Sequence, residues 1–360
     1  MKAQQFSIHS WLIAICSTTI LLTCCSTFVS AKRLATTELT YQHISGNTYR
    51  FRCSYYMLCH GMNAPPTLSM NAHSTICGVD LSYTLPRLDE SGTEVTKHCP
   101  FVTSHCEGGM AYGVKKWDYQ LDINIPGQCP DWRFSISDCC RDAGISTIQG
   151  GAAMYAEARL NNSIHDNSSA QFTVDPVFFI CLNQDFHFNN GAVDPDGDSL
   201  VISLASCPTG ANSFVQYNSG YDAFHPLTSS PEISLDASSG DLFVHPTQLE
   251  VGVISFMIDE YRNGGLIGRT LRDFVLYTFN CNESSPSLSG INATNQRQAV
   301  VPAGTPISFS VFSQDPDPVD TLSMSWNHAI PGASFQITGG LYPTGVFSWT
   351  PSISQIRSQP

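Results

Sequence analysis

The stretch Asn189-Asn190-Gly191-Ala192-Val193-Asp194-Pro195-Asp196-Gly197-Asp198-Ser199-Leu200 sets three carboxylates at alternate positions on a segment stiffened by proline and glycine. A second copy, Asp315-Pro316-Asp317-Pro318-Val319-Asp320-Thr321-Leu322, starts 121 positions later (315 minus 194), with one residue inserted and Pro318 in place of the glycine. Asp, Pro and Gly form turns, so each copy reads as a polar turn between two strands. The same spacing also gathers oxygens on one short segment, and a hard cation such as calcium takes about six to eight of them. Asp194, Asp196 and Asp198, and in the second copy Asp315, Asp317 and Asp320, are therefore candidate calcium ligands.

The repeat extends beyond the turn: Gly240, Phe243 and Pro246 match Gly345, Phe347 and Pro351 with small gaps. Two units of one type are implied. After Pro246 the first copy has 35 more residues to Cys281, whereas nine follow Pro351. Residues 283–360 are accordingly expected to form an incomplete sandwich without the counterpart of Val253–Phe279. Phe335, Phe347 and Trp349 should then lie exposed beside an unpaired edge.

Working outward, Leu39–His43 and Tyr49–Tyr55 alternate with period two about Ser45-Gly46-Asn47, which predicts an antiparallel hairpin. Val253–Asp259 and Leu271–Phe279 predict another about Arg262-Asn263-Gly264-Gly265. Short β-like runs at 67–72, 79–85, 119–125, 132–136, 152–160, 178–182 and 200–204 are separated by Gly, Pro, Asn or Cys, with no convincing amphipathic helix between them. The pattern argues all-β sandwich domains in tandem. Their expected bounds are 32–172 (cysteine-rich), 173–282 and 283–360.

Residues 1–31 read as a secretory signal peptide, with Lys2, the apolar run Trp11–Leu22 and the small-residue site Val29-Ser30-Ala31. Leu21-Leu22-Thr23-Cys24 reads alternatively as a lipoprotein box. No later apolar stretch reaches membrane length, so no transmembrane span is expected in the mature chain. Of 17 Lys and Arg only Lys2 lies in the leader, leaving 16 basic against 30 acidic residues. That balance disfavours nucleic acid and anionic membrane as partners and suits cation binding or solubility. Three of the 14 cysteines fall in the leader, and the other eleven read as a disulfide framework of an exported protein. Cys181 and Cys281 bracket the second unit and are expected to staple it. Cys139 and Cys140, being adjacent, are expected to bond to different partners.

Several phrases in order resemble exported surface proteins of gliding bacteria that use type IX secretion and are built of immunoglobulin-, cadherin- and PKD-like modules. They are Glu38-Leu39-Thr40-Tyr41 with Gly46-Asn47-Thr48-Tyr49-Arg50, Cys129-Pro130-Asp131-Trp132, Ser137-Asp138-Cys139-Cys140-Arg141, Asp194–Leu200, and Asp259-Glu260-Tyr261-Arg262-Asn263-Gly264. The resemblance implies β-sandwich modules, calcium at some of the carboxylate turns, surface display or release, and roles in adhesion or gliding motility rather than catalysis. By analogy with cadherin-like modules, Asp259 at the end of Ile254-Ser255-Phe256-Met257-Ile258 is a further candidate calcium ligand; it reads equally as the start of a polar turn. Nothing after Pro351 resembles a type IX sorting domain.

Other constellations are weighed against plainer readings. His98-Cys99 and His105-Cys106 offer four zinc ligands, but a Cys99–Cys106 disulfide is the better expectation in an exported chain. Cys59 beside His60 does not make a nucleophile and base, because strand neighbours point to opposite faces. The sequence has no Gly-x-Ser-x-Gly, no His-Glu-x-x-His, no phosphate loop and no dinucleotide fingerprint, so an enzyme is not expected. Tyr41, Tyr49, Phe51, Tyr55 and Tyr56 would suit sugar stacking, although Tyr49, Phe51 and Tyr55 share a strand face and read as core. The expected function is a calcium-stiffened structural or adhesive surface protein whose ligand is a surface polysaccharide or another protein. The alternative is a carbohydrate-binding accessory module of a secreted enzyme, or an enzyme fragment, which needs an exposed aromatic row or a cleft with paired carboxylates and is favoured if Tyr41, Tyr55 and Trp132 are coplanar and exposed.

Overall fold

The computed structural model describes residues 34–59, 63–96, 102–237 and 239–356. The expected signal peptide, and Cys99 with the zinc and disulfide readings placed on it, lie outside these residues. Strands β1 (Leu34–Ser45) and β2 (Thr48–Leu58) form the first expected hairpin, with Tyr41 opposite Phe51 across the Gly46-Asn47 turn. They are followed by β3 (Thr67–Ser74), β4 (Val79–Pro86), β5 (Thr93–Glu94), β6 (Val114–Asn124), β7 (Trp132–Asp138) and β8 (Met154–Leu160). The sheet β1-β2-β6-β5 faces β8-β7-β3-β4, and the first core fills the space between them. Strand alternation sends Leu39, Tyr41, Tyr49, Phe51 and Tyr55 into that core, where Phe51 and Phe134 approach to 4.4 Å between ring centres. Tyr41, Tyr55 and Trp132 are all buried here, so they form no exposed sugar platform.

The next strands are β9 (Gln171–Phe172), β10 (Phe179–Cys181), β11 (Phe186–Asn189), β12 (Ala192–Val193), β13 (Ser199–Leu204), β14 (Pro208–Gly210), β15 (Ser213–Phe214), β16 (Ser234–Leu235), β17 (Asp241–Val244), β18 (Val251–Arg262) and β19 (Gly265–Phe279). The β18–β19 hairpin turns at Asn263-Gly264, both with positive φ, as a two-residue loop between right-twisted strands requires. A second core lies between β13-β18-β19-β10 and the sheet β11-β17-β16. Strand β19 also hydrogen-bonds to β8, so one sheet runs β13-β18-β19-β8-β7-β3-β4. The sheet passes without a break across the boundary expected near residue 172, and the described residues after position 31 form one compact unit. Two cores share one sheet.

Buried charge also joins these halves. Adjacent residues on β19 reach into segments far earlier in the chain: Arg272 pairs with Glu38 of β1 at 2.7 Å, and Asp273 pairs with Arg141 at 2.5 Å. Burial outweighs the attraction of Arg272 and lifts the Glu38 carboxyl above the ordinary carboxylate range.

Strands β20 (Ser287–Leu288), β21 (Ile307–Gln314), β22 (Ser334–Thr338) and β23 (Thr344–Trp349) form a last sheet, ordered β20-β21-β23-β22. Phe347, expected to be exposed, is buried: the Phe309, Trp326 and Phe335 rings surround it at 4.8 to 6.2 Å or across the strand pair. Phe335 and Trp349 are half-buried. No helix among the described residues is long and apolar enough to cross a membrane.

The cysteines pair as Cys59–Cys106, Cys77–Cys129, Cys139–Cys140 and Cys181–Cys281. Three sequence expectations are thereby settled. Cys181–Cys281 forms as expected. Cys139 and Cys140, expected to seek different partners, bond to each other. Cys106 takes Cys59 rather than Cys99, because the short 3-10 turn His105–Glu107 lies against the end of β2, where the Cys59 amide donates to the Gly113 carbonyl. Cys53 and Cys207 are buried thiols.

Two measurements check this architecture. Arg272→Ala should cost about 3 to 5 kcal/mol in urea unfolding, since it leaves a buried carboxylate unpaired; a loss below about 1 kcal/mol would show that the pair does not join the halves. Cys181→Ser with Cys281→Ser should cost about 4 to 5 kcal/mol, the chain-entropy value for a loop of about 100 residues. Equal midpoints for the double variant and the parent would refute the staple.

Candidate carboxylate site

The carboxylate turn joins β12 to β13, the strand that opens the second core. Asp194 shapes it: its Oδ1 accepts the amides of Asp196 and Asp198 at 2.8 and 2.9 Å. Gly197 turns the chain at φ 85°, in the left-handed region that favours glycine. The turn brings the three carboxylates together, Asp194 and Asp198 buried and Asp196 exposed, and one oxygen from each lies within 4.8 Å of the others. Calcium–oxygen distances are about 2.3 to 2.6 Å, so oxygens on opposite sides of one ion sit about 5 Å apart, which this spacing fits.

Asp194 Oδ2 is buried and has no hydrogen-bond partner. Burial, reinforced by repulsion from Asp198 and Asp196, pushes its carboxyl up to about 6 against the pull of the two amides. An orphaned carboxylate oxygen beside two more carboxylates is a donor set for a hard cation.

Part of that charge is already met from within the chain. The Arg262 guanidinium grips both oxygens of Asp198 at 2.7 Å and lies 3.6 Å from Asp196. It also donates to the Asp166 carbonyl and to Asn167 Oδ1, while Asp196 accepts the Ser168 amide at 2.5 Å. Loop 166–169, which leads from the first core to the second, is thereby tied to the carboxylate turn.

The structure brings Asp194, Asp196 and Asp198 together and places Asp259 elsewhere. Asp259 is held in a two-point pair by Arg269 at 2.5 and 2.9 Å, directly opposite on β19. Its neighbour Glu260 takes the inward place instead, fully buried and accepting from Asn167 at 2.7 Å and from the Ala170 amide at 2.8 Å. Strand parity is the signal that could have found it: Ile254, Phe256 and Ile258 point into the core, and Glu260 and Arg262 follow on the same face, whereas Asp259 cannot. Burial pushes the Glu260 carboxyl up to about 8, and Asp194 and Asp198 add to the shift. Gly268 makes room for it, since a Cβ there would overlap the Glu260 carboxylate.

In the second copy Asp315 repeats the role of Asp194, accepting the Asp317 amide at 2.9 Å. The cluster that forms, however, is Glu283, Asp317 and Asp320, without Asp315, and its residues are exposed or half-buried. Among these only the first site has a buried oxygen without a partner.

Set against models of known protein families and against curated proteins, the chain matches none.

Glu260 gives a pH dependence. Its folded form holds a proton more tightly than the unfolded chain, so its contribution to stability is greatest below about pH 4.5 and falls as pH rises to about 8. The stability difference between wild type and Glu260→Gln should therefore move against wild type across that window and stay level above it. A difference independent of pH would show that Glu260 is ionised throughout.

Proposed function

We propose that this chain is an exported structural or adhesive surface protein without catalysis, built of immunoglobulin- or cadherin-like sandwiches and stiffened by calcium at Asp194, Asp196 and Asp198. The observation that carries this reading is the buried, unpartnered Oδ2 of Asp194, on a carboxylate clustered with two others. A cation there would fix the turn, and through Asp196 and Arg262 the loop 166–169 between the cores, so that force applied to one sandwich passes to the other. Export is supported by the disulfides that link distant parts of the chain, which persist in oxidising compartments. The resemblance to surface proteins of gliding bacteria points the same way, with a surface polysaccharide or a second protein as the adhesive partner.

Thermal melting of the chain with calcium and with chelator tests the ion. A ligand at about 100 times its Kd stabilises by about 2.7 kcal/mol, a shift of several degrees. Asp194→Asn should abolish the shift. Because Arg262 competes with the ion for Asp198, Arg262→Gln should be destabilised in chelator and restored by millimolar calcium. The calcium reading fails if neither wild type nor Arg262→Gln responds.

A further inference from the structure

The sheet that joins the two cores carries a row of like charge across the join. Arg269 on β19 lies directly opposite Arg159 on β8, Arg159 opposite Arg133 on β7, and Arg133 opposite His73 on β3. Residues opposite one another share a sheet face, so three guanidinium groups from adjacent strands stand side by side. The chain has 30 acidic against 17 basic residues, so this row reverses its overall balance. Like charges directly opposite destabilise a sheet, and local rules of this kind are broken where a site gains from it.

The chain meets these charges only in part. Arg269 commits Nε and Nη2 to Asp259, and Arg159 commits Nε to Glu157 at 2.5 Å. The half-buried Arg133 side chain makes no hydrogen bond or ion pair among the described residues. All three arginines and His73 line one cleft of about 300 Å³. Asp259 and Glu157, and Asp80 beyond His73, lie outside its lining. Asp131 is the one carboxylate within it among the described residues, and its oxygens already accept the Ser74 hydroxyl and the Thr75 and Ile76 amides. The cleft therefore holds a surplus of cationic donors.

We propose that this cleft binds an acidic polysaccharide through Arg133, Arg159 and Arg269. Neighbouring strands lie about 4.8 Å apart, so the row suits a polymer that repeats a carboxylate or sulfate on each sugar. Guanidinium forks match such oxyanions at two points, as Arg269 already does with Asp259. Thr75 and Asn161 line the cleft with hydrogen-bonding groups that suit hydroxyls, and Pro130 and the exposed Leu266 give it an apolar part. Its volume is at the lower end of the range for small-ligand sites, which leaves room for a short stretch of sugar chain. Nucleic acid fits poorly, because its phosphates are densely set and the negative balance of the whole chain repels them. The choice of a polysaccharide rests on the adhesive reading above; the cationic cleft itself does not depend on calcium.

The test is calorimetric titration of the mature chain, in chelator, with a short oligogalacturonate, a sulfated dextran oligomer, neutral dextran and oligoglutamate. Saturable binding of one or both acidic sugars is expected, weakening as salt rises, and the tighter of the two identifies the anionic group. Arg133→Gln removes a guanidinium that the free chain leaves unbonded, so it should weaken that binding about tenfold while leaving the melting temperature unchanged. Arg133→Lys keeps the charge without the fork and should fall between. Chelator keeps calcium out of the titration, so failure of this site and failure of the calcium response in melting are read apart. The proposal is overturned if neither acidic sugar binds saturably, if neutral dextran or oligoglutamate binds as tightly, or if Arg133→Gln binds undiminished.

Discussion

Arg272 is wholly buried, and the way its charge is met holds the two cores together. Its guanidinium bonds Glu38 on the first strand, the carbonyl and side chain of Asn190 just before the carboxylate turn, and the Val174 carbonyl. It also lies 4.3 Å over the Phe172 ring. One side chain therefore sets the relative positions of β1, β19 and the segment leading to the turn. Charges taken from water require partners fixed to within tenths of an ångström, and here those partners lie 82, 98 and 234 residues away along the chain.

Downstream of that constraint, the carboxylate turn is an electrostatic problem solved in two ways. Backbone amides and Arg262 meet the charge of Asp196, Asp198 and one oxygen of Asp194; the other oxygen of Asp194 is buried without a hydrogen-bond partner. Glu260 meets the same shortage differently, by holding its proton to high pH. The retained proton removes part of the excess of negative charge that burial makes costly.

The repeated turn shows how little of its environment a motif carries with it. Asp194 and Asp315 make the same local bond to the amide two residues on, since that geometry depends only on neighbouring atoms. Beyond it the copies diverge. The first is roofed by β18 and loop 166–169 and so acquires buried, shifted carboxylates, while the second stays open to solvent.

The sequence by itself determined what is local or periodic. Alternation placed Tyr49, Phe51 and Tyr55 in the core, Asn263-Gly264 made its hairpin turn, the offset of the two Asp turns revealed the repeat, and Cys181 with Cys281 bracketed one unit. Strict parity along β18 would also have chosen Glu260 over Asp259. Tertiary structure alone decided that β8 and β19 share a sheet, that Arg272 finds Glu38, that Cys59 rather than Cys99 meets Cys106, and that Arg262 occupies part of the carboxylate site. The reason is physical: turns and strand faces follow from a few adjacent residues, whereas buried ion pairs, disulfide partners and sheet continuity depend on which distant segments compete for the same space.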